Sequence, residues 1–188
     1  MQVMKDVKGY LKMEELNRFF DAIDNERNHL LFSLYMKTGR RVSEIVRNLT
    51  PRDILWDEEQ INWSILKKKI PTKKLLPVDK YLLHRLERYI KLYNIEEDEH
   101  IFKISRQRVF QLMRLYGKKS GIEWVGSKRI HPHHLRHSFA VHIAKNIKNP
   151  ADLKKLQDLL VHSDIGMTGD YLQFNPEESR KLLERTFK

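Results

Sequence analysis

Apolar residues recur at helical spacing along most of the chain, and the one stretch that departs from this carries a different element. From Met13 to Ile23, Leu16, Phe19, Phe20 and Ile23 fall on a single stripe, which predicts an amphipathic helix. Leu30, Leu31, Leu34 and Tyr35 continue the pattern over Asn28 to Lys37, and Gly39 reads as its stop. A short helix over Arg41 to Asn48 turns Val42, Ile45 and Val46 inward. After Pro51 the period changes to two. Ile54-Leu55-Trp56, an acidic turn at 57–59 and the alternating Ile61-Asn62-Trp63-Ser64-Ile65 predict strands, and a basic turn over 67–74 leads to a closing strand at 75–78. Helical spacing returns at Tyr81 to Tyr93. It returns again after Ser105, a good N-cap, where Val109, Phe110, Leu112, Met113 and Tyr116 precede a stop near Gly117 or Gly121. Pro132 fits the first turn of a helix running to about Ile147. Asn149-Pro150-Ala151-Asp152 opens another with Leu153, Leu156, Leu159 and Leu160 inward, and Asn175-Pro176-Glu177-Glu178 caps a last one bearing Leu182, Leu183 and Phe187. The predicted class is mainly α with a small three-stranded antiparallel sheet (α+β), in one compact unit without repeats or linkers.

Composition narrows the partners. The chain has 188 residues, 36 of them Lys or Arg against 25 Asp or Glu, for a net charge of +11. A cationic surface of that size favours a polyanion, and nucleic acid comes first. The absence of cysteine removes disulfides, zinc–thiolate sites and thiol nucleophiles together. No apolar run approaches membrane-spanning length, and the start lacks a signal-peptide core, so a cytoplasmic protein with no membrane partner is expected.

Three segments hold candidate chemistry. In His133-His134-Leu135-Arg136-His137, a rotation of 100° per residue groups Leu135, Phe139, His142 and Ile143 on a core face. His133, Arg136, His137 and Ala140 then share a face pointing away from it. His133 and Arg136 become neighbours one turn apart. A zinc site on His133 and His137 has suitable spacing, but Arg136 lies between the two and no acidic residue occurs from Gly126 to Asn149, so no metal is expected. Upstream, Thr38-Gly39-Arg40-Arg41-Val42-Ser43-Glu44 puts Arg41 at a helix start, where a guanidinium fork and helix amides suit a phosphate, with Glu44 one turn on to hold it. Downstream, Val161-His162-Ser163 is followed by Tyr171, nine residues after His162.

Together these segments resemble the tyrosine recombinase, or phage integrase, family. Its first box reads T-G-x-R-[IV]-S-E-[LI], as Thr38 to Ile45 do. Its second reads H-x-L-R-H-[ST]-F-A, as His133 to Ala140 do. Its third reads L-[LM]-G-H-S with a tyrosine nine residues past the histidine, matched by Leu159-Leu160-Val161-His162-Ser163 and Tyr171 with Val161 in place of glycine. The resemblance runs from about Met13 to the C-terminus. It implies that Arg41 and Arg136 clamp the non-bridging oxygens of a DNA phosphate, that His133 is a general acid/base and His162 a further phosphate donor. Glu44 would be an accessory carboxylate and Tyr171 the nucleophile of a 3′-phosphotyrosine intermediate, with no metal or other cofactor. The lysine that protonates the departing 5′ oxygen corresponds to Lys69, with Lys67 and Lys68 as alternatives because the usual G-K-G is missing.

The activity implied is that of a site-specific recombinase on double-stranded DNA, with type IB topoisomerase-like relaxation or a non-cutting DNA-binding regulator as the rival readings. Arg40, which fills a usually apolar slot, is expected to contact DNA along with Lys67, Lys68, Lys73, Lys74 and His134. Residues 1–12 read as a lead-in and 13–188 as a catalytic domain, with the N-terminal core-binding domain of the family expected to be absent. The helix at 176–188 is expected to dock on a neighbouring copy in a dimer or tetramer on DNA.

Overall fold

The computed structural model describes residues 9–66, 72–146, 155–156 and 158–160. Three helices come first: α1 (Met13–Asp21), α2 (Glu26–Thr38) and α3 (Val42–Val46). A three-stranded antiparallel sheet follows, in the order β1 (Ile54–Leu55), β2 (Gln60–Ile65), β3 (Thr72–Pro77). Then come α4 (Lys80–Leu92), α5 (Arg106–Lys119), a hairpin of β4 (Trp124–Val125) and β5 (Lys128–Arg129), and α6 (Pro132–Ala144). Residues 155–156 and 158–160 are helical. Among the described residues no helix is long and apolar enough to cross a membrane.

The period-two stretch alternates as its pattern predicts, but β3 begins at Thr72, so Lys73 and Lys74 pair with Ser64 and Trp63 in the sheet and do not belong to the basic turn expected over 67–74. Ile61, Trp63 and Ile65 of β2 are buried while Gln60, Asn62 and Ser64 alternate with them, and Ile61 pairs with Leu76 of β3. Local chemistry fixes the helix starts. Ser105 Oγ accepts from Arg108 N at 3.1 Å, Asn25 Oδ1 from Asn28 N at 3.1 Å and Asp79 Oδ1 from Leu82 N at 2.9 Å. Gly39 ends α2 in the left-handed region at φ 62°. It also allows contact with α6, since a Cβ there would lie 2.5 Å from the Phe139 ring.

Two expectations about α5 and its surroundings need correction. Of the two expected stops, the structure takes Gly121, which follows the Ser120 C-cap at φ 72°, and not Gly117; the helix runs through 117 to Lys119, where a glycine lets it touch the next segment, since a Cβ at 117 would meet Ile130 Cγ2 at 2.5 Å and Ile122 O at 2.8 Å. The β4–β5 hairpin was not predicted. Its strands have two residues each, too few to reveal alternation, although Gly126 at φ 60° followed by Ser127 is an ordinary two-residue hairpin signal.

Helix α6 occupies the centre and is packed on nearly every side. The core of α1 to α5 and the sheet takes Leu135, while Phe139 and Ala140 join a second cluster with Leu156 and Leu160. The expected division into a core face and an outward face therefore fails: Arg136 and Ala140 are buried at 6% and 3% exposure, with Leu156 and Leu160 packed against this part of α6. The segment before α1 packs here too. Leu11 is fully buried, its N–H donates to Ser138 Oγ at 2.8 Å and its carbonyl lies 2.9 Å from His142 Nε2.

Candidate active site

The turn between α2 and α3 supplies the first arginine. Arg41 is the N-cap of α3; its backbone N–H donates to Glu44 Oε2 at 2.9 Å and its Nη1 to Glu44 Oε1 at 3.2 Å. Glu44 is completely buried, whereas the Arg41 side chain keeps 19% of its exposure. The carboxylate thus satisfies an orphan helix N–H and orients the guanidinium with a charge-assisted bond.

The second arginine reaches this turn from α6. Arg136 Nη1 donates to Gly39 O, across 97 positions of sequence, and Nη2 donates to Leu160 O at 3.2 Å. Arg40 points inward as well. It is 1% exposed, its Nε donates to Thr38 O at 3.3 Å and its Nη2 to Leu159 O. Burial lowers the Arg40 pKa to about 10, with the neighbouring Glu44 opposing that shift and Arg136 and Arg41 adding to it. Arg40 was expected to contact DNA; here its guanidinium is buried and bonded to backbone carbonyls.

His133, one turn before Arg136, is exposed and stands edge-on to His131 with ring centroids 6.1 Å apart. His134 faces the other way. It is 5% exposed, stacked on His131 at 3.9 Å, and its Nδ1 accepts from the backbone N–H of His131 at 3.1 Å. It caps the start of α6 from within the fold, where the expectation had placed it on DNA. Among the described residues no three metal-ligating side chains converge.

Burial, then the proximity of His131, His137, Lys128 and His133, lowers the His134 pKa to about 4. The unfolded chain takes up that proton near pH 6.5, so between 6.5 and 4 the unfolded state binds more protons and stability falls as the pH falls. The contribution is complete above pH 6.5. Between pH 7.5 and pH 5, urea unfolding is expected to lose about 2 kcal/mol from this group. His134→Gln should flatten that slope; an unchanged slope would mean that the imidazole is not held neutral.

Lys73 and Lys74, expected on DNA, are both in ion pairs: Lys73 Nζ lies 2.9 Å from Asp53 Oδ1 and Lys74 Nζ 3.4 Å from Asp158 Oδ1. Lys73 keeps 59% exposure, and a half-exposed pair of this kind can exchange a carboxylate for a phosphate. Lys74 is less exposed, at 32%, and its Nζ also donates to Asp158 O at 3.1 Å. Lys67, Lys68, Lys69, His162, Tyr171 and the 176–188 helix lie outside the described residues.

One surface escaped the sequence analysis. Arg106, Gln107, Gln111 and Arg114 stand exposed on one side of α5 and, with Phe110 and Arg47, line an open groove of about 480 Å³. Arg106 lies 5.6 Å from the Phe110 ring centroid. The helix contains no acidic residue. Its spacing of 106, 107, 110, 111 and 114 was a usable signal, but the apolar stripe of the same helix drew the reading inward.

Comparison with known proteins agrees with this geometry. The phage integrase family model matches residues 9–178. A tyrosine recombinase of Pseudothermotoga lettingae is 30% identical over 192 residues, which take in 97% of this chain and 64% of the relative. This chain therefore spans less than two thirds of that curated relative's length. The catalytic domain of bacteriophage HP1 integrase shares the fold with a TM-score of 0.68 at 23% identity, covering 94% of each chain. A XerH site-specific recombinase bound to its difH substrate gives 0.73 at 20% identity, covering 97% of this chain and 55% of that one. With Arg41 and Arg136 drawn to one turn and the family model matched over nearly the whole sequence, the chain belongs to the phage integrase, or tyrosine recombinase, family.

Proposed function

We propose that this chain cuts and rejoins strands of double-stranded DNA as a site-specific recombinase, through a covalent 3′-phosphotyrosine. The observation that carries the reading is the bond from Arg136 to Gly39 O, which brings the second box of the motif against the first while buried Glu44 holds Arg41. Two guanidiniums fixed beforehand stabilise charge that grows on the equatorial oxygens in the transition state, and they pay no reorganisation when it forms.

In the proposed step the Tyr171 oxygen bonds to phosphorus, and its proton passes to His133. The bond from phosphorus to the 5′ oxygen breaks. That oxygen takes a proton from Lys69 or its neighbours at 67 and 68, leaving a free 5′-hydroxyl. Return of a 5′-hydroxyl reverses the sequence and rejoins a strand. Arg41, Arg136 and His162 would hold the phosphate throughout. Copies of the chain would assemble on DNA, with residues 176–188 docking on a neighbour; sedimentation of the full chain with and without a duplex target tests this.

The exposed side of α5 would lie against the duplex. Arginine and glutamine are the side chains whose paired hydrogen bonds fit guanine and adenine edges in the major groove. Arg106→Ala with Arg114→Ala is expected to weaken duplex binding by about tenfold or more and to flatten its dependence on salt. Titration of a fluorescent duplex at several salt concentrations checks this, and parent-like affinity would remove α5 from the interface. For the reaction itself, the test is a nicked duplex whose short cleaved end diffuses away, followed by a denaturing gel. A covalent protein–DNA band is the expected result, and its absence on active-site-competent DNA would leave a binding protein only.

A further inference from the structure

Three consecutive backbone carbonyls are each held by a cation from a different element. Asp158 O accepts from Lys74 Nζ of β3 at 3.1 Å, Leu159 O from Arg40 of the α2–α3 turn, and Leu160 O from Arg136 of α6 at 3.2 Å. The next residues in the chain are Val161 and His162. Among the described residues, the apolar cluster this stretch joins has Phe139, Ala140, Leu156 and Leu160 as buried members, with Ile143, Ala144 and Leu159 packed against them.

Arg40 is the costly member of the set. It is 1% exposed and sits among Arg41 and Arg136. The nearby carboxylate, Glu44, is bonded to Arg41. Among the described residues, Arg40 Nη1 has no hydrogen-bond partner. A buried guanidinium with an unsatisfied nitrogen is destabilising, and an apolar side chain of similar length would fill the place at lower cost. What the guanidinium does that an apolar chain cannot is bond the Arg41 turn, at Thr38 O, and Leu159 O together.

We infer that Arg40 is a positioning residue for strand cleavage: it ties the backbone leading into His162 to the turn that carries Arg41, so that the two sides of the phosphate site keep register. This rests on the proposed DNA-cleaving function and adds to it a residue that the motif does not include. A misplacement of about 1 Å in such a site costs on the order of 100-fold in rate.

The test uses the full chain with Arg40→Met and Arg40→Lys. Met fills the space without the bonds, and Lys keeps the charge without the fork. Both are expected to slow single-turnover adduct formation at saturating DNA by on the order of 100-fold, with duplex affinity within about twofold of the parent. Arg40→Met should melt at the parent temperature or above it, because it removes a poorly satisfied buried charge. Amide exchange in peptides covering 155–160 should speed up in both variants. Cleavage within about threefold of the parent overturns the inference. So does unchanged exchange, and so does a joint loss of melting temperature and rate in Arg40→Met that Arg40→Lys repairs. If the parent itself forms no adduct, the cleavage reading fails, and the exchange measurement still decides whether Arg40 is the tether.

Discussion

Arg136→Lys is expected to lower the rate of strand cleavage by about 10²- to 10³-fold, the effect of removing one fixed donor from a transition-state oxyanion. Duplex affinity should fall by far less, because the net charge is kept. The reason is geometric. The guanidinium donates to Gly39 O and Leu160 O, so its planar fork is held in one orientation beside the turn that carries Arg41. An ammonium group is a point donor on a flexible stem and cannot hold two carbonyls 121 positions apart in sequence (160 − 39) while it meets an oxyanion. The variant should also melt earlier, since each lost bond to a charged group contributes about 1.5–3 kcal/mol. Rates therefore need measuring well below its melting temperature. Equal losses in binding and cleavage would show that Arg136 acts on the ground state and not on the transition state.

Tyr171→Phe is expected to abolish the covalent adduct while duplex binding stays within about twofold of the parent. Removing the phenol oxygen deletes the nucleophile and little else, and no other group replaces a covalent partner. The remaining six tyrosines are informative here. Tyr35, Tyr89 and Tyr116 are buried at 1%, 6% and 2% exposure, and burial holds the Tyr35 hydroxyl far from ionisation, so none of the three can meet a phosphorus. Tyr10 is bonded to Lys145 through its hydroxyl, Tyr81 is exposed on α4, and Tyr93 is exposed at its C-cap. An adduct surviving in Tyr171→Phe would be mapped among Tyr10, Tyr81 and Tyr93, and finding it there would overturn the assignment of Tyr171.

The secondary structure was legible where a period could be counted. Ile61, Trp63 and Ile65 announce β2 because a half-buried strand must alternate, and Ser105 and Gly39 mark helix ends because a cap needs an acceptor and a left-handed turn needs no Cβ. The Arg41–Glu44 pair was legible for the same reason: it lies within one turn, where spacing alone decides contact. The hairpin at 124–129 and the passage of α5 through Gly117 were not, since two-residue strands carry no period and a helical glycine is explained only by what approaches it.

The amino-acid sequence by itself determined which chemical groups the chain owns, their order in three boxes, and the helices and strands whose faces follow from local spacing. The tertiary structure alone decided which polar side chains face outward. Arg40 and Arg136 are enclosed because Leu156 and residues 158–160 come back against α6 from far along the chain and offer carbonyls at Leu159 and Leu160, while His134 turns inward against His131. A helical period records how neighbours on one element are arranged. It holds no information about a segment that arrives from elsewhere, and that arrival determines whether a guanidinium ends in water or against a backbone oxygen.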